Sequence, residues 1–227
     1  MGGAGRLSND RFLICYDIVM AYRLKIVEIA KVPPAEEFLT KRELAMYKEF
    51  KIEKRKKEWL GGRYALKKLA CDFFSFEINK MEVKNLASGK PVLLVPGGTK
   101  LPVSITHSGA YAAAAIALTG SAIGVDIEAV EERSAAWVKQ CFIPEELISK
   151  KAPFLTQLWA QKEAVLKFLG VGLKLSCTDI NCLPDRLEFK GKALDVWAKQ
   201  GSPDINLKIM DLKGSYKLAL AVEEPLF

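Results

Sequence analysis

Glu58-Trp59-Leu60-Gly61-Gly62-Arg63-Tyr64-Ala65-Leu66-Lys67-Lys68-Leu69 is echoed one hundred residues later by Leu158-Trp159-Ala160-Gln161-Lys162-Glu163-Ala164-Val165-Leu166-Lys167-Phe168-Leu169. Trp, Leu, Lys and Leu coincide at 59/159, 66/166, 67/167 and 69/169. At the same offset Leu24-Lys25-Ile26-Val27-Glu28 lies under Gly124-Val125-Asp126-Ile127-Glu128. At an offset of 105, Gly109-Ala110-Tyr111 matches Gly214-Ser215-Tyr216, and an Ala-rich strand follows each. Three matches in one order predict a duplicated chain: two similar α+β halves, meeting near 119–121. Residues 23–120 form the N-terminal half, 121–227 the C-terminal half, and 1–22 an N-terminal extension. Ligand sites favour interfaces of this kind.

Local patterns agree with that division. Alternation predicts strands at 24–29, 92–95, 101–106, 111–118 and 123–128, and a hairpin of 205–211 and 216–222 around Lys213-Gly214. Pro33-Pro34 ends the first strand. Residues 40–71 read as helix, with a break or kink at Gly61-Gly62. Ser134 caps a helix through Phe142, whose Trp137, Val138 and Phe142 are core candidates; Pro144 starts another, and Thr156 caps a helix that ends at Gly170.

The bulk numbers narrow the chemistry. The chain has 227 residues, 50% of them apolar and 27% charged, which is the composition of a folded globular protein. No apolar run approaches the ~20 residues of a membrane helix. The apolar stretch 12–22 contains Asp17 and is followed by no clear cleavage site, so the expected location is the cytoplasm. The five cysteines, Cys15, Cys71, Cys141, Cys177 and Cys182, form no C-x-x-C pair and fit a reducing compartment. A single histidine, His107, excludes a histidine-rich metal centre, so a catalytic metal must sit on oxygen ligands. The net charge of +7 attracts anions: nucleic acid, phosphorylated cofactors or an acidic protein. Its densest run, Lys54-Arg55-Lys56-Lys57, is interspersed with Glu49, Glu53 and Glu58, as on a solvated helix face.

Asp126 and Glu128 stand two apart in a predicted strand and therefore share a face, opposite Val125 and Ile127. Adjacent carboxylates repel unless a cation or solvent intervenes. Trp159, Glu163 and Lys167 follow i, i+4, i+8 and form one helical stripe, while Leu158, Val165, Leu166 and Leu169 supply the apolar side. Three carboxylates and a lysine so placed suit a hard divalent ion and a diphosphate. Spacing alone favours the plainer reading, a solvated strand edge and an ordinary i, i+4 surface pair.

The segments are more specific than their spacings. Gly124-Val125-Asp126-Ile127-Glu128 together with Trp159-Ala160-Gln161-Lys162-Glu163-Ala164-Val165-Leu166-Lys167 resembles the two signatures of 4′-phosphopantetheinyl transferases, G-[VI]-D-[IV]-E and W-x-x-K-E-[AS]-x-x-K. Gly170-Val171-Gly172-Leu173 is similar to the family's G-x-G-L, Gly89-Lys90-Pro91 to its G-K-P, and Ser104-Ile105-Thr106-His107-Ser108-Gly109 to its S-x-S-H-S-G. The resemblance spans about residues 23–223 and points to the larger, pseudo-dimeric class named for the enzyme that activates surfactin synthetase.

The resemblance implies a reaction and a set of roles. The arm of coenzyme A passes to a serine of an acyl or peptidyl carrier protein, releasing 3′,5′-ADP. Asp126, Glu128 and Glu163 hold Mg²⁺, with Mn²⁺ as an alternative. Glu163, His107 or a metal-bound water takes the serine proton, and Lys167 contacts the coenzyme A phosphates. Lys90 and Pro91 line the adenine and phosphate end, while Thr106 and His107 bind phosphate. Lys57 and Arg63, in Lys57-Glu58-Trp59-Leu60-Gly61-Gly62-Arg63, match the family's basic R-x-F-x-x-G-R; at 57 lysine keeps the charge and loses the bidentate fork. Thr106 stands where serine is usual. Residues around Trp137 lie near the carrier contact. The duplication puts Arg63 in the position of Glu163, so that one half presents a base where the other presents an acid. The enzyme is expected as a monomer, with no nucleic acid or membrane as partner.

Two other functions are compatible with the same charges. A magnesium-dependent nucleotide-pyrophosphate hydrolase would use these carboxylates with water as nucleophile. A basic nucleic-acid-binding protein would show salt-dependent affinity, yet the basic residues are not interleaved with aromatics and no nucleic-acid motif appears.

Overall fold

The computed structural model of the chain describes residues 21–119 and 122–223. Most of the expected extension, 1–20, and the centre of the expected junction, 120–121, lie outside the described residues.

The first half builds a five-stranded antiparallel sheet from β1 (Tyr22–Glu28), β2 (Glu82–Asn85), β3 (Pro91–Leu94), β4 (Lys100–Ser108) and β5 (Tyr111–Ala117), in the order β1-β5-β4-β3-β2. The second half has a three-stranded sheet, β6-β10-β9, from β6 (Ile123–Ala129), β9 (Ile205–Leu212) and β10 (Tyr216–Glu223), and a small β7–β8 hairpin (Ile180–Cys182, Leu187–Phe189). The helices are α1 (Lys41–Lys48), α2 (Glu53–Phe74), α3 (Ala135–Cys141), α4 (Ala152–Leu169) and α5 (Gly191–Lys199).

Strand alternation sorts side chains into layers. Ala113, Ala115 and Ala117 of β5 meet Ile123, Val125 and Ile127 of β6 and Leu218, Leu220 and Val222 of β10 in a core between the two sheets. The intervening residues Ala114 and Ile116 face Leu66, Leu69 and Ala70 of α2. Ala219 and Ala221 face Ala164, Val165 and Phe168 of α4. The result is two sheets back to back, each carrying one long helix on its outer face.

Helix boundaries follow caps rather than composition. Thr40 caps α1 through a reciprocal capping box with Glu43. The break expected at Gly61-Gly62 falls instead at residues 49–52, and α2 runs through both glycines. A Cβ at Gly62 would lie 2.5 Å from the Ile105 side chain, and one at Gly61 3.2 Å from Ala112, so these glycines let the helix sit against the sheet. Thr156 does not cap α4; that helix begins at Ala152 with Pro153 in its first turn, and Thr156 is buried within it. Pro144 starts only a single 3-10 turn. The strand β2, the β7–β8 hairpin and α5 were not legible in the pattern.

Duplication is written into buried polar circuits. In the first half the Lys67 ammonium, on α2, donates to Glu43 and, at 2.9 Å, to the Phe38 carbonyl. Glu43 also accepts the Val83 amide of β2 at 3.0 Å. In the second half Lys162, on α4, donates to Glu146 at 2.8 Å and to the Cys177 carbonyl at 2.9 Å, and Glu146 accepts the Cys182 amide of β7 at 2.7 Å. Both lysines are wholly buried.

Strand register repeats as well: Lys25 opposes Ala114 with Tyr111 opposite Glu28, and Asp126 opposes Ala219 with Tyr216 opposite Ala129. The ion pair Lys25–Asp72 (2.6 Å) thus recurs with its signs exchanged as Asp126–Lys167 (2.7 Å). This corrects the helix alignment. Lys67 answers to Lys162 and not to Lys167, so Lys68, not Arg63, takes the place of Glu163. Matching apolar periodicity let the two helices slide by more than one turn; the buried lysines set the register.

Candidate active site

Asp126 and Glu128 come from β6, an edge strand whose outer face is covered by α4. Gly124 allows the close approach: a Cβ there would lie 1.8 Å from the Ala164 carbonyl oxygen. The stripe of α4 then meets the carboxylates one by one. The Trp159 indole N–H donates to Glu128 Oε1 at 3.1 Å. The Lys167 ammonium donates to Asp126 Oδ1 at 2.7 Å and to the Val125 carbonyl at 3.2 Å. Glu163 lies between them, within electrostatic range of Asp126.

The acids are under strain. Burial, reinforced by the Asp126 charge, pushes Glu128 and Glu163 each up to about 7. Asp126 Oδ2 and Glu163 Oε1 are buried without a hydrogen-bond partner among the described residues. Each such atom forgoes a favourable interaction that a cation would restore.

Among the described residues no group of three or more His, Cys, Asp or Glu is disposed to hold a metal ion as it stands. The expected three-carboxylate cage is not closed, because Lys167 and Thr106 occupy Asp126 Oδ1 while Trp159 and Ser108 engage Glu128. The donor set nevertheless fits a hard divalent cation: only oxygens, two of them orphaned, on carboxylates whose repulsion a positive ion would relieve.

The first half contributes the opposite wall. His107, on β4, has its Nδ1 3.7 Å from Glu58 of α2, and burial lowers its pKa, with Lys167 adding to the effect. Lys90 reaches across from the turn before β3 and donates to the Phe168 carbonyl at 3.2 Å, at the C-terminal end of α4 where carbonyls lack helical partners. Gly170, left-handed at φ 72°, ends that helix beside the Lys90 chain. Pro91 opens β3 opposite Asn85.

Three expected ligands are placed differently. Thr106 is buried and its hydroxyl is already engaged by Asp126 and the Ile127 amide. Arg63 lies 4.1 Å over the Trp59 ring on the α2 stripe that faces α1, with Glu43 as its electrostatic neighbour, and burial lowers its pKa to about 10. Lys57 lines a cavity of about 860 Å³ with Tyr47, Leu60 and Gly109, which does not include Asp126, Glu128 or Glu163.

Three contributors had no assigned role in the sequence reading: Ser104, Ser108 and Arg133. The alternation Ser104-x-Thr106-x-Ser108 was the available signal for the first two. Arg133, 4.5 Å over the Trp137 ring, pulls the Glu128 pKa back down.

Residues 122–221, which carry all three carboxylates, match the model of the 4′-phosphopantetheinyl transferase superfamily. The chain is 38% identical over 95 residues to the holo-[acyl-carrier-protein] synthase of Bacillus subtilis (strain 168), covering 37% of this chain and 75% of that protein. The chain belongs to the 4′-phosphopantetheinyl transferase superfamily. It is 30% identical over 108 residues to the holo-[acyl-carrier-protein] synthase of Staphylococcus carnosus (strain TM300), covering 45% of this chain and 92% of that protein. It is 27% identical over 146 residues to a 4′-phosphopantetheinyl transferase of Bacillus subtilis, covering 61% of this chain and 62% of that protein. As a phosphopantetheinyl transferase it moves 4′-phosphopantetheine from coenzyme A to a carrier protein. No described helix is long and apolar enough to cross a membrane.

Proposed function

We propose that the seam between the two halves is where the pyrophosphate of coenzyme A is cleaved, with this chain acting as a monomer of the larger, two-half class in the cytoplasm. The observation that carries the reading is the pair of orphaned carboxylate oxygens, on Asp126 and Glu163, with the Lys167 ammonium beside them and Lys90 and His107 contributed by the first half. Residues 23–120 supply the coenzyme side and 121–227 the acidic side.

Asp126, Glu128 and Glu163 would hold Mg²⁺, or Mn²⁺ in its place. When bound, such an ion supplies charge neutralisation at the pyrophosphate. Lys167, already at the rim, turns from Asp126 to the phosphates, and Lys90 with Pro91 flanks the nucleotide end. His107 donates a hydrogen bond to phosphate.

The carrier's serine oxygen forms a bond to the β-phosphorus, and the bond from that phosphorus to the bridging oxygen breaks. The bridging oxygen leaves on 3′,5′-ADP. The serine proton passes to Glu163, an acid with an unpartnered buried oxygen in the seam. A net charge of +7 steers an acidic carrier toward the seam.

The test mixes the protein with coenzyme A, Mg²⁺ and a panel of apo acyl and peptidyl carriers, and reads intact mass. A carrier gains the arm with the native chain and not with Asp126→Asn or Glu163→Gln. Release of free phosphopantetheine without any carrier would instead make the protein a hydrolase.

A further inference from the structure

The inner strand of the seam offers more than a wall. Strand β6 is the edge of the second sheet, and β10 takes the hydrogen bonds on one side only. The amides of Val125, Ile127 and Ala129 point the other way, toward the first half. A buried edge amide needs an acceptor. Among the described residues no strand of the first sheet pairs with β6; side chains do the work. Ser104, Thr106 and Ser108 of β4, two apart and so on one face, accept from Val125 (3.0 Å), Ile127 (3.2 Å) and Ala129 (3.0 Å). The ladder keeps step because both strands advance two residues per rung.

Two rungs also spend their protons. The Thr106 hydroxyl donates to Asp126 Oδ1 at 2.9 Å, and the Ser108 hydroxyl reaches Glu128 Oε2 at 3.4 Å. Each hydroxyl therefore grips the backbone amide of one residue and the carboxylate of the residue before it. We infer that Thr106 and Ser108 are positioning residues: they set the register of the two halves and aim the Asp126 and Glu128 carboxylates, and Thr106 is not a phosphate ligand. Ser104, buried like Thr106, extends the ladder without a carboxylate to hold. The inference rests on the proposed cation site for its effect on metal affinity, and on the seam alone for its effect on the backbone.

The test compares full-length native chain with Thr106→Val, Thr106→Ser, Ser108→Ala and Asp126→Asn, using Mn²⁺ as probe. Thr106→Val keeps the shape and removes the hydroxyl. In metal-free protein its Ile127 amide exchanges with deuterium at least about 10-fold faster than in the native chain. Mn²⁺ affinity falls on the order of 10-fold, as when a metal ligand loses its supporting hydrogen bond. Binding of 3′,5′-ADP without metal is unchanged, and Thr106→Ser restores native values. Ser108→Ala, the milder change, gives the same pattern at Ala129 should Thr106→Val not fold.

Weakened metal-free binding of 3′,5′-ADP with native Mn²⁺ affinity would make Thr106 a phosphate ligand and overturn the inference. So would a lowered melting temperature with unchanged Mn²⁺ affinity, provided Asp126→Asn loses that affinity. If Asp126→Asn keeps it, the cation site itself is wrong, and exchange at Ile127 still decides the seam.

Discussion

Lys67 and Lys162 occupy the same position in the two halves: each is wholly buried on the long helix of its half and closes onto a glutamate that also accepts a strand amide. A buried ammonium survives only with its charge paired and its protons placed. Both lysines have found a carboxylate and a backbone carbonyl, which ties helix, loop and strand at one point.

Removing either lysine strands a buried carboxylate. Lys67→Met and Lys162→Met should each cost about 3–5 kcal/mol. Urea unfolding of the two variants against the native chain measures this, and a loss below about 1 kcal/mol would show the circuit to be dispensable.

The acidic cluster should make the metal-free protein less stable as pH rises. Glu128 and Glu163 hold their protons up to about 7 in the folded state against 4.5 ordinarily. Between those values the native state binds more protons than the unfolded one. Stability is therefore greatest below about 4.5 and declines as pH climbs through 7, by on the order of 3 kcal/mol for each group. Glu163→Gln should abolish its share, leaving a variant more stable than the native chain at pH 8 and similar near pH 4.5. Melting curves in chelator across that range decide it.

His107 gives a direct reading of the opposite wall, because it is the chain's single histidine. Burial lowers its pKa, Lys167 lowers it further, and Glu58 and Asp126 raise it. Glu58→Gln should move the titration to lower pH and Lys167→Met to higher pH. NMR titration of one imidazole signal checks both signs.

Gly124 should be irreplaceable where Gly61 is not. An alanine Cβ at 124 meets the Ala164 carbonyl oxygen at 1.8 Å and the Phe168 nitrogen at 2.7 Å, all backbone. Gly124→Ala should cost about 4 kcal/mol or more, or leave no folded protein. At Gly61 the nearest atoms are Ile29 and Ala112 side chains at 3.0 and 3.2 Å, which can shift, and alanine recovers about 1 kcal/mol of helix propensity. Thermal melts of the two variants should differ widely.

Much of the acidic wall could be read from the chain because strand and helix periods are rigid. A two-residue step puts Asp126 and Glu128 on one face, and a four-residue step aligns Trp159, Glu163 and Lys167. Both stripes are present, and they face each other. What failed was inference across the chain. Gly61-Gly62 signalled a break because glycine is a poor helix former, yet packing against β4 and β5 overrides that local cost. Arg63 was paired with Glu163 because apolar periodicity alone cannot distinguish registers that differ by little more than a turn. The hydrogen bonds of Thr106 could not be foreseen, because nothing local tells a hydroxyl that its partner will be an amide twenty-one residues away.

The linear chain carried its own internal repeat, its acidic stripes and its family signatures, since these depend on residue type and on spacing within one element. Folding alone decided which lysine answers to which, that β4 hydroxyls cap the β6 edge, and that Lys167 faces Asp126 while Lys90 crosses to the end of α4. Those are contacts between segments far apart in sequence, and burial set their partners by requiring every buried charge and edge amide to find one.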